Sequence, residues 1–215
     1  MWQLVFSFVL TVLIGSYITF KYQKRNIEYQ SFLARERKRI DKINDIKKYI
    51  NKLIIHRVVA SKRILDCYQG IDKEAYLKDV RDEYILAKDK WNYGINSIFL
   101  ELGNLGSERI YHFNAFYIER VIHKAFVECH HLIVDIKFKK NISKYYEAIS
   151  ILDSIYNMQS EITRRLTREV NLIQSNIKYG DTDPLSIENL DKASLLNLLF
   201  ALFYKNPNLL RVPRS

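Results

Sequence analysis

The sequence predicts an all-α protein in which an N-terminal transmembrane helix continues into a cytoplasmic bundle of about four to five helices. Three observations predict this architecture. Only six Gly and three Pro occur in 215 residues, so few positions break a helix. The first twenty residues carry no charged side chain. Beyond them, apolar side chains recur at three- and four-residue steps, the spacing of a helix that buries one face.

The first predicted element is a transmembrane helix over residues 1–21. Twenty uncharged helical residues cover roughly 30 Å, the thickness of a bilayer core. Trp2 suits an interfacial anchor, and Lys21, Lys24 and Arg25 follow at the other end. By the positive-inside rule these charges predict a single-pass protein of the bacterial inner membrane, with its N-terminus outside and the rest in the cytoplasm. A cleaved signal peptide is the alternative, but a charged n-region and a clear cleavage site are missing.

A stripe of small or weakly polar residues runs along this predicted span. Gln3, Ser7, Thr11 and Gly15 recur every four residues and so share one helical face. Such residues let transmembrane helices approach closely, which predicts either a helix contact in an oligomer or the lining of a pore. In the alternative interpretation, the hydroxyl groups bond to the backbone of their own helix and contact no other chain.

A basic helix is predicted next, over residues 22–69. Residues 21–69 hold fourteen Lys or Arg against five Asp or Glu, an excess of nine that accounts for most of the net charge of +10. Basic side chains beside a span favour contact with the anionic lipids of the inner leaflet. Nucleic acid is not expected as a partner, because acidic residues interrupt the basic run. Gly70 is placed to end the helix as its C-cap.

The remaining helices are predicted within a cytoplasmic domain over residues 22–205. A bundle over 72–178 contains a helix capped by Asp72 and reaching about Leu102, a second from Ser107 to about Lys139, and a third over 143–177. An apolar helix over 186–205 follows, too short to span a bilayer, and it is expected to lie in a core, at a subunit interface or against lipid. Residues 206–215 are predicted to be an unstructured tail.

The segment ERIYHFNAFYIERVIH, residues 108–123, contains one pattern twice. Glu-Arg-x-x-His occurs at 108–112 and again eleven residues later at 119–123, and eleven residues are about three helical turns. The two copies are therefore predicted to form a polar seam on one helix face, where the arginines reach carboxylates of a neighbouring helix or subunit. The seam consists of Glu108, Arg109, His112, Glu119, Arg120 and His123.

The sequence contains no recognisable catalytic, metal or cofactor site. Cys67 and Cys129 are isolated from each other, and P-loop, GxGxxG and GxSxG motifs are absent. Glu119 with His123, and His131 with Asp135, supply only two metal ligands each. No His follows an Arg after four to six intervening residues, the spacing of ribonucleases of the HEPN type. The expectation is therefore a protein that is not an enzyme.

A single N-terminal span, a basic juxtamembrane helix, an all-helical cytoplasmic domain and a degenerate Arg/His pattern together resemble the small membrane accessory proteins of type VI-B CRISPR loci, which are HEPN-like and pore-forming. The resemblance implies a homo-oligomer that forms or gates a pore in antiphage defence. It would depolarise the membrane downstream of an RNA-guided nuclease. Two alternatives stay open, a membrane-tethered helical scaffold that recruits a protein partner and a divergent HEPN-like ribonuclease.

Overall fold

The computed structural model describes residues 2–70, 77–105, 108–138 and 141–180, together with Ser194, Leu196, Asn197 and Phe200. Within these residues the regular structure is entirely helical, and no strand occurs. The predicted all-α class is confirmed. The proposed caps Asp72 and Ser107 and the predicted tail over 206–215 lie outside the described residues. So does the predicted helix over 186–205, apart from the four positions above.

Helix α1 runs without interruption from Trp2 to Tyr68. No Gly or Pro interrupts residues 21–69, and the predicted continuation of the first helix into the basic helix is confirmed. The helix ends as the sequence predicts. Gly70 has φ +78°, a left-handed conformation that glycine adopts without a steric penalty, and its N–H donates to the Cys67 carbonyl at 3.1 Å.

The N-terminal part of α1 is the candidate membrane span. Among the described residues, α1 is the one helix long and apolar enough to cross a membrane, and none of its most apolar window is buried. Trp2 is 88% exposed and Phe6 71% exposed. Large exposed apolar surfaces of this kind mark contacts with a membrane or with another protein.

Four further α-helices follow α1 in the described chain. They are α2 (Leu77–Gly103), α3 (Glu108–Tyr117), α4 (Lys124–Phe138) and α5 (Ile142–Gly180). Asn141 caps α5, because its Oδ1 accepts hydrogen bonds from the Ser143 and Lys144 N–H groups at 2.9 and 3.4 Å. The sequence prediction for this helix, residues 143–177, is correct to within a few residues at each end.

The chain divides into two compact units. The first comprises residues 1–40 and 171–215, and the second comprises residues 41–170. In the first unit, Leu33 of α1 and Ile173 of α5 are buried. In the second unit, α1 contributes a row of buried isoleucines at helical spacing, namely Ile43, Ile46, Ile50, Ile54 and Ile64.

The core of the second unit is built around two aromatic rings. Trp91 of α2 and Phe126 of α4 are both almost fully buried, and their rings meet edge to face with centroids 4.8 Å apart. A polar contact joins α1 to α5, where Asn51 Oδ1 accepts hydrogen bonds from Gln159 and Thr163. This core fixes the helices that surround the candidate site.

A π-helical turn, Ile118–His123, separates α3 from α4. The sequence predicted one regular α-helix over this region, and that prediction is wrong for these six residues. A π-helical turn has i→i+5 hydrogen bonds and so contains more residues than an α-helical turn. Ile118 and Ile122 are both fully buried in it. Beyond the turn, α4 ends at Phe138, close to the predicted end.

Candidate ligand-binding cavity

A cavity with a partly polar lining lies in the second unit between α1, α2, the π-helical turn and α4. It has a volume of about 520 Å³. Helix α2 supplies one wall, because Lys88, Asn92 and Asn96 recur every four residues and therefore share a face. Ile95 and Phe99 lie beside them. We call this space the polar cavity; its full lining is Arg57, Lys88, Asn92, Ile95, Asn96, Phe99, Glu119, His123, Val127 and His130.

Arg57 is the buried cation of the polar cavity. Only 3% of the residue is exposed, and its Nη1 donates to the Lys88 carbonyl at 3.2 Å. Its guanidinium carbon lies 4.8 Å from the centre of the Phe126 ring. Its Nε is buried without a hydrogen-bond partner among the described residues. Burial lowers the pKa of Arg57, yet an arginine side chain in a protein stays protonated.

The π-helical turn directs His123 towards Trp91. The indole Nε1–H donates to His123 Nδ1 at 3.2 Å. Because the indole nitrogen can only donate, Nδ1 accepts, and the proton of a neutral His123 is carried by Nε2. Burial and the nearby Arg57 charge lower the pKa of His123, while Glu119 opposes this shift. The imidazole is therefore neutral near pH 7.

A second histidine, His130 of α4, forms the other side of the polar cavity. Its Nδ1 lies 2.6 Å from the Tyr84 hydroxyl. Burial raises the pKa of Tyr84, so that phenol keeps its proton and can donate it to Nδ1. Burial lowers the pKa of His130, as do the charges of Lys88 and Arg57. With both histidines neutral, the formal charge of the lining is set by Arg57, Lys88 and Glu119.

Covalent chemistry is not favoured beside the polar cavity. Cys129 is buried, and burial raises the pKa of its thiol to about 12, so little thiolate exists near neutral pH. Within the described chain, no group of three or more His, Cys, Asp or Glu side chains is placed to hold a metal ion. What the cavity offers is a positive charge, amide groups and an apolar wall, a combination that suits noncovalent binding of a small anion.

The predicted span residues are all exposed on the monomer. Gly15 has open space around its Cα, with no heavy atom near the position of a Cβ. Thr11 donates its hydroxyl hydrogen to the Ser7 carbonyl, and Thr19 does the same to the Gly15 carbonyl, each at 2.8 Å. The threonine hydroxyls thus bond to their own helix, as in the alternative interpretation of the stripe. The side chain of Gln3 is likewise exposed.

The residues predicted to lie at the membrane interface differ in exposure. Trp2 is highly exposed, and Lys24 is exposed. Lys21 is half-buried, with its ammonium nitrogen 5.6 Å from the centre of the Tyr17 ring. Arg25 is half-buried, and it interacts with another group of the protein.

The predicted polar seam is divided between different environments. Glu119 and His123 line the polar cavity, and His123 is half-buried there; Glu119, Arg120 and His112 are exposed. The side chains of Glu108 and Arg109 lie outside the described part of the chain. The π-helical turn changes the number of residues per turn, so the eleven-residue arithmetic that assumed a regular α-helix does not hold across it. Contact of the seam with another subunit stays a prediction.

Sequence reasoning missed Arg57, Lys88 and His130. One signal was present for Arg57, because this residue follows Leu53 and Ile54 at helical spacing, where the pattern of α1 predicts an apolar side chain. Lys88 and His130 carry no comparable signal. The structure brings an arginine and two histidines into one cavity, although the sequence lacks the Arg/His spacing of a HEPN-type ribonuclease.

Comparison of the chain with protein families, with curated proteins and with solved structures finds no match.

Proposed function

We propose that the chain is a single-pass protein of the bacterial inner membrane, with its N-terminus outside and its C-terminal domain, residues 22–205, in the cytoplasm. One observation carries this proposal: residues 2–20 form a helix without a charge and without burial, and Lys21, Lys24 and Arg25 follow at once. A bilayer supplies the apolar environment that this helix lacks. The basic residues then favour the cytoplasmic side and its anionic lipids.

The function proposed for the anchored protein is assembly into a homo-oligomer that forms or gates a pore in antiphage defence. The resemblance to type VI-B CRISPR accessory proteins implies this role and a functional link to an RNA-guided nuclease. The stripe of the span supports the assembly step. Because Gly15 has open space around it, a neighbouring helix backbone can approach closely there. No catalytic step is part of this proposal.

The hydrogen bonds of the span refine the role of the stripe. Thr11 has already donated its hydroxyl hydrogen to its own helix, so only its oxygen lone pairs remain for a neighbour. The Gln3 amide lies about 12 Å from Thr11 along the helix, so in a ring of parallel copies it would pair with the Gln3 amide of a neighbour at the same depth. The stripe is therefore proposed as a helix contact centred on Gly15, with Ser7 and Thr11 available to face a lumen where helices splay apart.

The first experiment is the mass of the detergent-solubilised protein by light scattering, with the detergent contribution subtracted. We expect a defined assembly of about six or more copies, since a central conduit needs a closed ring. Gly15→Leu should reduce the mass, because a bulky side chain prevents close helix approach. Ser16→Leu adds the same bulk at the neighbouring position off the stripe and is the matched control. A monomeric or dimeric wild-type protein would refute the pore.

Conduction is tested separately in proteoliposomes. Ser7→Asp places a charge on the stripe and should alter ion flux if that face borders a lumen. If the wild-type ring carries no flux above that of empty liposomes, the assembly is not a conduit, and the scaffold becomes the better proposal.

A membrane-tethered scaffold is the second candidate, and an apolar groove favours it. The groove has a volume of about 920 Å³ between α1 and α2, and its exposed apolar side chains are Tyr49, Ile55, Val59, Leu86 and Tyr93. Exposed apolar patches of this kind often mark protein contacts. Leu86→Ser with Tyr93→Ser should abolish crosslinking to a partner in cells under this candidate. Tyr146→Ser, at another exposed aromatic residue, is the control.

A further inference from the structure

Arg57 is a buried cation that forms no ion pair with a carboxylate of the described residues, and the Asp89 charge, which favours its protonated form, acts on it without such a contact. Its Nε likewise has no hydrogen-bond partner among the described residues. Removing a charge from water is costly, and buried charges are normally paired and fully hydrogen-bonded. The carbonyl of Lys88 and the ring of Phe126 offset only part of that cost. Arg57 therefore supplies the positive charge and the N–H donors that a bound anion needs.

The surroundings of Arg57 extend this site into the polar cavity. Lys88 lies half-buried in its lining and adds a second cation. Asn92 and Asn96 present amide donors and acceptors from the same face of α2, and Phe99 contributes an aromatic wall. Glu119 lies on the opposite wall, in the π-helical turn. Asn92, Asn96 and Glu119 are exposed to solvent, so a ligand larger than a bare inorganic anion can reach them, and the Phe99 ring, from a phosphate held at Arg57.

We propose that the polar cavity binds a nucleoside monophosphate, with its phosphate held by Arg57 and Lys88. A guanidinium can donate two parallel hydrogen bonds to one phosphate, and a lysine adds charge. Asn92 and Asn96 pair with the edges of the base beside Phe99, and Glu119 accepts a hydrogen bond from a ribose hydroxyl. The volume of about 520 Å³ lies within the range of small-molecule sites.

This proposal is independent of membrane insertion and subunit number. It concerns residues 57–130 of the second unit, whereas the proposed pore depends on residues 2–20. A protein that binds no nucleotide can still form a ring, and a monomer can still bind a nucleotide. The two proposals therefore fail separately.

The test is calorimetric titration of the full-length chain in detergent with AMP, GMP, CMP and UMP. We expect at least one of them to bind at one site per chain, and its parent nucleoside to bind at least about tenfold more weakly. Lys88→Met and Arg57→Met should each weaken binding about tenfold or more. Lys90→Met removes an exposed lysine from the same helix outside the cavity, and it should change the affinity less than about twofold.

Four results of the nucleotide, glycerol 3-phosphate and RNA experiments would overturn the proposal, and a fifth comes from inorganic phosphate. The first is the absence of binding for all four nucleotides at millimolar concentration. The second is an equal loss in Lys90→Met, which would mean general attraction to a basic protein. The third is glycerol 3-phosphate binding as tightly as the best nucleotide, which would assign the site to lipid headgroups. The fourth is cleavage of an RNA oligonucleotide that depends on Arg57, which would favour the ribonuclease alternative.

Circular dichroism spectra of each variant verify that it has folded. Lys88 lies at the partly exposed side of the cavity, so Lys88→Met keeps the test decisive if Arg57→Met does not fold. Inorganic phosphate serves as a reference for the charge contribution alone. Binding of phosphate as tight as that of every nucleotide would contradict the assigned roles of Asn92, Asn96 and Phe99.

Discussion

Arg57 occupies a position of α1 where packing calls for an apolar side chain, and its neighbours Ile54 and Val58 are buried in the core. Such a residue lowers stability unless a ligand completes its pairing. Arg57 also affects the two histidines of the cavity, because burial lowers the pKa values of His123 and His130 and the Arg57 charge lowers them further. The chemistry of the cavity thus depends on one buried charge.

Replacing Arg57 by Met is expected to raise the free energy of unfolding by about 1 kcal/mol, because the substitution removes a buried charge and retains most of the volume. Urea unfolding of the full-length protein, followed by circular dichroism, measures this difference. Arg57→Ala should instead lower stability, because it leaves a cavity against Phe126. A large loss in Arg57→Met would show that the guanidinium stabilises the unliganded fold and needs no anion.

Acidification is expected to destabilise the second unit through His123. The pKa of His123 in the folded protein lies below its ordinary value of 6.5, so between the two pKa values the unfolded chain binds more protons. The stabilisation is complete above about pH 6.5 and is lost as the pH falls through the unfolded pKa towards the folded one. The midpoint temperature at pH 5.5 should therefore lie below that at pH 7.5.

His123→Gln should reduce this dependence on pH, because a glutamine oxygen can still accept the Trp91 N–H and cannot be protonated. The exposed His112→Gln is the matched control and should show the wild-type dependence. An unchanged difference between pH 5.5 and pH 7.5 in His123→Gln would refute the role of this histidine.

At the scale of elements, the packing of α1 against α2 depends on Gly94. A Cβ at this position would overlap the Leu53 Cδ1 and would lie 3.2 Å from the Tyr49 hydroxyl. The Leu53 side chain, which also lines the apolar groove, would have to shift to admit this Cβ. Glycine weakens a helix, but at this position it permits a close approach between α1 and α2.

Gly94→Ala is expected to lower the free energy of unfolding by about 1–3 kcal/mol, the usual cost of overpacking. Gly103→Ala in the same helix is the control, since a Cβ there would meet only the Tyr111 ring at 3.8 Å, an ordinary contact. It should raise stability by up to about 1 kcal/mol by restricting the unfolded chain. Denaturant titration measures the free energy of unfolding of both variants. An equal change in the two would contradict the close packing of α1 against α2 at Gly94.

The π-helical turn shows how one element serves two purposes. Ile118 and Ile122 are buried in the core, while Glu119 and His123 line the polar cavity. Such turns often occur at functional sites. The eleven-residue repeat is visible in the sequence. The sequence does not show that its second copy, residues 119–123, lies in a π-helical turn.

For the molecule as a whole, the distribution of charge along the chain is the main support for the proposed membrane topology. The uncharged residues 2–20 precede a segment with an excess of nine positive charges, and the proposed membrane topology follows from that order. In a chain with this topology, the basic helix begins at the inner leaflet, where anionic lipids attract it by about 1 kcal/mol per Lys or Arg close to the surface.

Leu10→Arg is expected to abolish stable membrane association, since an arginine at the centre of a span costs about 2.5–3.5 kcal/mol. Ile27→Arg adds the same charge at an exposed apolar position beyond the span and should have no effect. Quantification of both variants in carbonate-washed membranes measures this. Retention of Leu10→Arg at the wild-type level would contradict the span. An intact mass below 25.6 kDa would favour a cleaved signal peptide.

The sequence by itself determined the all-α class, the uninterrupted α1 with its C-cap at Gly70, and the candidate span. These features depend on local properties, namely the spacing of apolar residues, the scarcity of Gly and Pro, and the run of uncharged residues. Only the tertiary structure decided the π-helical turn and the meeting of Arg57, Lys88 and His123 in one cavity. These three residues come from different helices, so their proximity depends on how the helices pack. The spacing of side chains within one helix carries no information about which residues of another helix lie opposite them.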